Sequence, residues 1–345
     1  MKSAPTIKEV AKLAGVSIGT VSRVINQVPS VRPATRQAVL DAMEQLGYKP
    51  NTSAQAVRRG ETRTIGIIVR DISVTTLAEL VQSAQEVLEP AGYTVVIACS
   101  YDEYEREVAL LDKFAKQRVD GLLMTTCSET DPQLRGIRQS LGIPIVYFDR
   151  VVDGAAGAVL VDHRTSTRSA TEYLLSIGHR RIALITGKEM WPFRERIAGY
   201  TEAFEKYGLP VQPELIKQRP SLGAGGYDLT LDALDLAPPP TALIAGGFNL
   251  LPDVLRAIRA RKLRIPHDIS VIAESDSDLA QLVTPAITAI RTHPVESGKL
   301  AAQILLAHMA NRAGNDLNGR VHLVSSELIL RESCQPLKSA GNRKR

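Results

Sequence analysis

The chain has 345 residues, 44% hydrophobic and 23% charged, with a net charge of +5 and three cysteines. That length supports two or three domains with real cores, and the ordinary composition excludes a collagenous, disordered or disulfide-scaffold protein. Cys99, Cys127 and Cys334 lack metal-ligand spacing, and no apolar run approaches the roughly 18 residues of a membrane span. Thr6, Lys8, Glu9 and Lys12 stand where a secretory signal would be apolar, which predicts a cytoplasmic protein with no membrane partner.

The charge is unevenly distributed. Residues 1–60 carry Lys2, Lys8, Lys12, Arg23, Arg32, Arg36, Lys49, Arg58 and Arg59 against Glu9, Asp41 and Glu44, a net +6. Lys338, Arg343, Lys344 and Arg345 add +4 at the other end, so the body between sums to about −5. A basic head on an acidic body points to a polyanionic partner; the alternative is a solubilising basic surface.

In chain order, Thr6-Ile7-Lys8-Glu9 is a capping box: the Thr6 hydroxyl accepts from the third helical N–H and Glu9 reaches back. Ile7, Val10, Ala11 and Ala14 follow at helical spacing, and Gly15 ends the helix in a left-handed turn. Ser17 caps a second short helix whose Val21, Val24 and Ile25 face inward, so Ile18, Gly19, Ser22, Arg23 and Asn26 face out. A third helix starts at Pro33 and runs through Ala38, Val39, Ala42, Met43 and Leu46 to Gly47. Three short helices with a Gly-Val-Ser corner describe a helix-turn-helix, whose second helix enters the major groove. Asn51 then caps a segment that Gly60 stops, a helix too short to be stable alone.

Past Arg63, short apolar strands at 65–69, 94–98, 121–124, 145–148, 159–161, 182–186, 242–245 and 269–273 alternate with helical stretches. This alternation predicts parallel sheets covered on both faces. Pro238-Pro239-Pro240 reads as a stiff surface loop, and Gly223-Ala224-Gly225-Gly226 as a turn rather than a phosphate loop. There is no Gly-x-Gly-x-x-Gly, no Gly-x-Ser-x-Gly and no clustered set of metal ligands, so neither an enzyme nor a cofactor is expected. Scattered histidines such as His179 read as turn or surface residues.

Thr6-Ile-Lys-Glu-Val-Ala-Lys-Leu-Ala-Gly-Val-Ser17, Thr20-Val-Ser-Arg-Val-Ile-Asn26 and Leu46-Gly-Tyr-Lys-Pro-Asn51 resemble the lactose/galactose repressor family. Further landmarks recur in order: Asp149-Arg150, Gly178-His-Arg-Arg-Ile182, Arg196-Ile-Ala-Gly-Tyr200, Ile265-Pro-His-Asp-Ile-Ser-Val271 and Leu330-Arg-Glu-Ser333. The resemblance implies an all-α helix-turn-helix head and an α/β, two-lobed body like the periplasmic binding proteins. It divides the chain into a DNA-binding domain at 1–50, a hinge helix at 51–60, an N-terminal lobe at 61–161 plus 291–324 and a C-terminal lobe at 162–290 plus 325–337. The tail at 338–345 receives no role.

The same resemblance assigns individual residues. Ser17, Thr20, Ser22 and Asn26 match phosphate-contacting positions, and Ile18, Gly19 and Arg23 match positions that read base edges. Arg23 offers a bidentate pair to guanine, worth ~1–3 kcal/mol of discrimination; its alternative is a phosphate contact. Ile18 offers apolar contact to a thymine methyl, or only packs on the surface of the head. Asn51, Val57 and Arg58 fall in the hinge, with Val57 where the family's leucine wedges into the minor groove. Valine is shorter and branched at Cβ, so shallower insertion is expected.

Arg196 matches a family residue that hydrogen-bonds effector oxygens. Elsewhere the pocket departs from the pattern. Val74-Thr75-Thr76-Leu77 replaces Asn-Pro-Phe-Phe, Gly246-Gly247-Phe248 replaces Ala-Asn-Asp, and Ala273-Glu274-Ser275-Asp276 replaces Gly-Phe-Asp-Asp. Ser275 then stands where a ligand-binding aspartate is expected, next to Asp276. Trp191 and Phe193 supply stacking, or Trp191 packs in the core or at an interface. With Arg70, Phe248, His163, Lys188 and Arg194 nearby, this reads as a pocket that exchanged carboxylates for neutral groups. A sugar acid or sugar phosphate is then the expected effector.

The function implied is a transcriptional regulator, a repressor, that binds a near-palindromic operator in duplex DNA as a homodimer and is switched by a small effector. The alternative is a sugar-binding protein without regulatory DNA binding. One consequence is specific to the hinge: Val57→Ala should cut operator affinity and DNA bending while circular dichroism stays unchanged. Unchanged affinity and bending would remove the wedge role.

Overall fold

Capping, close glycines and doubly buried strands organise two separate units, Met1–Thr62 and Arg63–Arg345. The computed structural model describes residues 5–26, 28–48, 61–187, 189–219, 225–310 and 320–337. The hinge positions Asn51, Val57 and Arg58, the residue Lys188, Gly223 and Ala224 of the glycine-rich turn and the basic tail at 338–345 lie outside these described residues. Among the described residues no helix is long and apolar enough to cross a membrane.

The first unit holds α1 (Ile7–Leu13), α2 (Ile18–Ile25) and α3 (Pro33–Leu46). Glu9 reaches back to Thr6, accepting from its backbone N–H at 2.6 Å and from its hydroxyl at 2.9 Å. With the Thr6 side chain facing the backbone N–H of Glu9, the third helical residue, this makes the capping box that the sequence predicts. Gly15 and Gly47 take left-handed φ of 65° and 62°, ending α1 and α3 where a Cβ would be strained. Val10, Ala11, Val21, Val24, Val39 and Ala42 form one small core. Ala38, at a neighbouring position of α3, is exposed.

Among the described residues, the second unit contains two six-stranded sheets. Its strands are β1 (Thr64–Val69), β2 (Thr94–Cys99), β3 (Gly121–Met124), β4 (Ile145–Phe148), β5 (Gly157–Val161), β6 (Ile182–Thr186), β7 (Ile216–Gln218), β8 (Ala242–Ala245), β9 (Ser270–Ala273), β10 (Thr288–Arg291), β11 (Arg320–Val324) and β12 (Glu327–Ile329). One sheet runs β11-β5-β4-β3-β1-β2 and the other β12-β10-β9-β8-β6-β7. All pairings are parallel except that of β12 with β10. The chain passes between the sheets after Val161, after Arg291 and after Val324.

Helices α4 (Thr75–Leu88), α5 (Tyr104–Gln117), α6 (Pro132–Ser140) and α12 (Pro294–Ala310) accompany the first sheet. Helices α7 (His163–Ser176), α8 (Trp191–Lys206), α9 (Gly226–Leu234), α10 (Leu251–Ala260) and α11 (Asp278–Leu282) accompany the second. Alternation within β1 shows the two-sided burial. Ile65, Ile67 and Val69 join the core under α4 and α12, while Ile68 joins Leu122 and Met124 in the core under α5.

Four strands escape a reading based on apolar runs. β7 and β12 have three residues each, β11 is an edge strand with Val321 and Leu323 more than half exposed, and β10 holds only Ala289 and Ile290 between Thr288 and Arg291. His179 differs from its surface reading. It is buried, meets Thr241 Oγ1 at 2.9 Å and Ser270 Oγ at 3.1 Å, and has Gln335 O at 3.2 Å. It therefore ties the carboxyl-terminal segment to β9. Ser333 does the same, accepting from Thr288 N at 2.8 Å and donating to Val271 O at 2.6 Å.

Helices α4 and α12 approach so closely that a Cβ at Gly298 would collide with Leu80 O and Ser83 Oγ. Backbone cannot retreat the way a side chain can, so Gly298→Ala should lower stability by ~1–3 kcal/mol. Urea unfolding of the variant should show a lower midpoint with an unchanged slope.

Candidate functional site

On the head, the N-cap of α2 determines what its outward face presents. Ser17 Oγ accepts from Thr20 N at 3.1 Å and lies 2.9 Å from Thr20 Oγ1, and Asn26 Nδ2 donates to Ser22 Oγ at 3.4 Å. Val21 and Val24 are buried, which turns the other side of the helix outward. Ser17, Ile18, Gly19, Arg23 and Asn26 are exposed, with Thr20 and Ser22 half-buried beside them. The seven head residues expected to meet phosphates or base edges therefore lie on one short helix and its caps. A helix N-terminus carrying short hydroxyls suits a phosphate, and an exposed arginine suits a base edge.

In the body, parallel topology brings the carboxyl ends of the strands to one cleft. Both sheets reverse strand order beside their first strand, at β1/β3 and at β6/β8. Such switch points leave a crevice outside the strand ends. The cavity there is lined by Arg70 after β1, Thr125 after β3 and Arg150 after β4, and by Arg196 on α8, Arg219 after β7 and Phe248 after β8. Phe148, Phe193 and Leu77 add apolar wall.

Arg196, Arg70 and Phe248 thus lie where the sequence placed them, at the cavity. Trp191, Ser275 and Asp276 do not line it. Trp191 begins α8, packs against the core that contains Phe114 and Tyr147, and donates its backbone N–H to Glu129 Oε2 at 3.0 Å. Asp276 is ion-paired with Arg291 at 2.7 Å and with Arg331, so its carboxylate is spent on structure. Arg194 is half exposed and pairs with Glu129 at 3.1 Å. Residue-type reasoning missed Arg150, Arg219 and Glu274. Arg219 and Glu274 directly follow strands and Arg150 comes two residues after β4, but β7, which presents Arg219, has no apolar run to read.

The expectation of a pocket stripped of carboxylates is corrected by Asp149, which lines the cavity, and by Glu274 beside it. Glu274 precedes Ser275 by one residue, is fully buried, and forms an ion pair with Arg196. Its other oxygen meets His163 Nδ1 at 2.7 Å, and His163 Nε2 meets Asp149 Oδ2 at 2.7 Å. Asp149 follows β4 with a left-handed φ of 52° and also accepts from Val161 N at 3.1 Å. Arg196 lies between the rings of Phe193 and Phe248, at 5.3 and 5.9 Å. Gly246 permits this, since a Cβ there would come within 3.1 Å of Ile185 O and 3.5 Å of Arg196 Cδ.

Burial and Arg196 push the His163 pKa down, but Asp149 and Glu274 outweigh them and hold it above its ordinary value. Burial opposes ionisation of Asp149 and Glu274; His163 and Arg196 overcome it and keep both carboxyls below theirs. The charged forms of these neighbours thus favour one another against the cost of burial. Elsewhere on the wall, burial and neighbouring Arg70 push Arg219 down to about 10, against the pull of Asp253. Arg219 stays cationic at neutral pH.

Residues 6–51 match the family profile of bacterial regulatory proteins of the lacI family, and residues 171–334 match the periplasmic binding protein-like domain. The ribose operon repressor of Escherichia coli K12 is 33% identical over 304 residues, covering 87% of this chain and 92% of that protein. The lac repressor dimer bound to operator and the anti-inducer ONPF superposes with a TM-score of 0.82 at 25% identity, covering 96% of this chain and all of that one. A transcriptional regulator CelR–cellobiose complex gives 0.71 at 30% identity, covering 95% and 99%. Head and body together define a DNA-binding transcriptional regulator with an effector-binding body. The chain belongs to the lacI family of bacterial regulatory proteins.

The buried cluster has a pH signature. Because the His163 pKa is raised on folding, its stabilisation is complete below about pH 6.5 and is lost as pH rises through the folded value. Asp149 and Glu274 are lowered, so theirs is complete above about pH 4.5 and is lost as pH falls through the folded values. His163→Phe should abolish the alkaline loss and destabilise the body by ~3–5 kcal/mol, because buried carboxylates lose their partner. Thermal unfolding between pH 5 and 9 checks both.

Proposed function

We propose that the chain acts as a homodimeric repressor whose two heads bind the half-sites of a near-palindromic operator, and whose effector is a small anionic carbohydrate held between the lobes. The observation that carries the effector class is the set of guanidiniums from Arg70, Arg150, Arg196 and Arg219 that line one cavity. Apolar surface from Phe248 and Phe193 beside them suits the carbon face of a sugar ring. Sugar ligation by a related regulator, the cellobiose complex of CelR, supports the carbohydrate part of this reading. The operator-bound dimer of the lac repressor supports the assembly.

In this reading, operator and effector are linked. Ser17, Thr20, Ser22 and Asn26 hold phosphates, Arg23 and Ile18 read base edges, and Asn51, Val57 and Arg58 form the hinge at the minor groove. Effector binding changes the placement of the N-terminal lobes and so orders or melts the hinge helices. Each ligand then changes the other's affinity by the same factor.

Operator binding by the purified protein, titrated with neutral sugars and with acidic sugars, tests the effector class. An acidic sugar should shift operator affinity at concentrations where its neutral parent does not; the reverse preference overturns the anionic reading. Arg23→Ala should cost ~1–3 kcal/mol and relax specificity at one base pair, whereas a phosphate role would weaken all sequences alike and lower the salt slope.

A further inference from the structure

Helix α8 begins without a cap of its own. Met190, at the N-cap position, has no side-chain oxygen to offer, and Pro192 has no N–H. The N–H groups of Phe193 and Arg194 return to Met190 O at 3.0 and 3.1 Å, so the N–H of Trp191 is the end donor that needs an acceptor from outside the helix. Glu129 Oε2 supplies it at 3.0 Å, and the same oxygen accepts from Arg194 Nη2 at 3.1 Å. Glu129 Oε1 accepts from Val151 N at 3.1 Å within its own lobe. One buried carboxylate of the N-terminal lobe thus caps a helix of the C-terminal lobe, and its charge suits the positive end of that helix.

Resting on the reading of the cavity as the effector site, we infer that Glu129 is a positioning residue for that site. It is a latch between the lobes that holds Phe193 and Arg196 of α8 at the cavity and is released when the lobes rotate apart. The loop that carries it is fixed from behind. Thr126 Oγ1 donates to Glu107 Oε1 and Cys127 N to Glu107 Oε2, both at 2.7 Å, and Arg138 Nη1 donates to Ser128 O at 3.2 Å. Glu107 and Arg138 are themselves buried.

The latch also stands away from the crossovers. The chain passes between the sheets at β5, β10, β11 and β12, whereas β3, which leads to Glu129, lies two strand positions from β5, and β6, which leads to α8, lies three from β10. At ~4.8 Å per strand that is a lever of roughly 10–15 Å. Rotation about the crossovers therefore parts Glu129 from α8 sooner than it disturbs contacts beside them, such as Asp276 with Arg291. Trp191, the only tryptophan of the chain, packs against the N-terminal-lobe core that contains Phe114 and Tyr147. Its fluorescence reports the latch directly.

Glutamine has one acceptor oxygen, so Glu129→Gln cannot serve both Val151 and the donors of α8. In the full chain this variant should raise acrylamide quenching of Trp191 about twofold and speed amide exchange over residues 190–196 about tenfold, as loss of hydrogen bonds to a charged acceptor requires. Arg194→Gln leaves the Val151 contact intact and should move both readouts the same way by less, and joining the two substitutions should add little to Glu129→Gln alone. A residue that only braces its own loop would speed exchange near Val151 and leave Trp191 and α8 unchanged, which overturns the latch. If Glu129→Gln does not fold, unchanged quenching and exchange in Arg194→Gln overturn it equally. For a duplex that the wild-type chain selects from a random-sequence pool, releasing the latch should change affinity about fivefold or more, and unchanged affinity overturns its part in linkage. A wild-type chain that binds none of ribose, glucose and their aldonic acids in calorimetry counts against the effector reading alone, since neither latch readout uses a sugar.

Discussion

Four interlocked ionisable side chains, Asp149, His163, Arg196 and Glu274, are the constraint around which the body is arranged. A lone buried charge is costly, so each group must be met by its opposite at hydrogen-bonding distance. His163 does this for two carboxylates at once, 2.7 Å from each. That forces Asp149, at the end of a strand in one sheet, and Glu274, at the end of a strand in the other, to share one imidazole. The left-handed backbone of Asp149 is part of the cost of reaching it. The cluster therefore both joins the lobes and backs the cavity wall.

Helix α8 carries this arrangement toward the ligand. Its first N–H is taken by Glu129 of the other lobe, and five residues on, Arg196 reaches the cavity beside two phenyl rings. The loop that supplies Glu129 also supplies Thr125 to the cavity and Thr126 O to Arg150. Tight packing behind α8, where a Cβ at Gly199 would strike Arg164 O, leaves the helix little room to move alone. A ligand that pulls on Arg196 or Arg150 thus acts on contacts that already cross the lobes. This is the physical form that linkage between effector and operator takes in the proposed mechanism.

Much of the architecture was legible in the chain itself. β3, β4, β6 and β8 coincide with their apolar runs because strands buried on both faces need nothing but apolar residues. The head was readable to single residues: Ser17 caps, Val21 and Val24 point in, and Gly15 and Gly47 close helices in conformations that favour glycine. The edge strands β11 and β12 and the short β7 were not, because a half-exposed strand of three to five residues has no run to show.

The cavity divides along the same line. The net +5, once partitioned, located a basic head, and local rules turned it into a helix presenting Arg23. Those rules act over three or four residues, and the sequence by itself determines what they produce: caps, helix faces, buried strands. It also marked Arg70, Arg196 and Phe248 for the cavity. Only the tertiary structure decided that Glu274 rather than Ser275 meets Arg196, that Asp276 is spent on Arg291 and Arg331, and that Arg150 and Arg219 line the same cavity. Charges pair through space across more than a hundred residues of chain. Which carboxylate reaches which guanidinium depends on where two sheets end, and spacing along the chain does not record that.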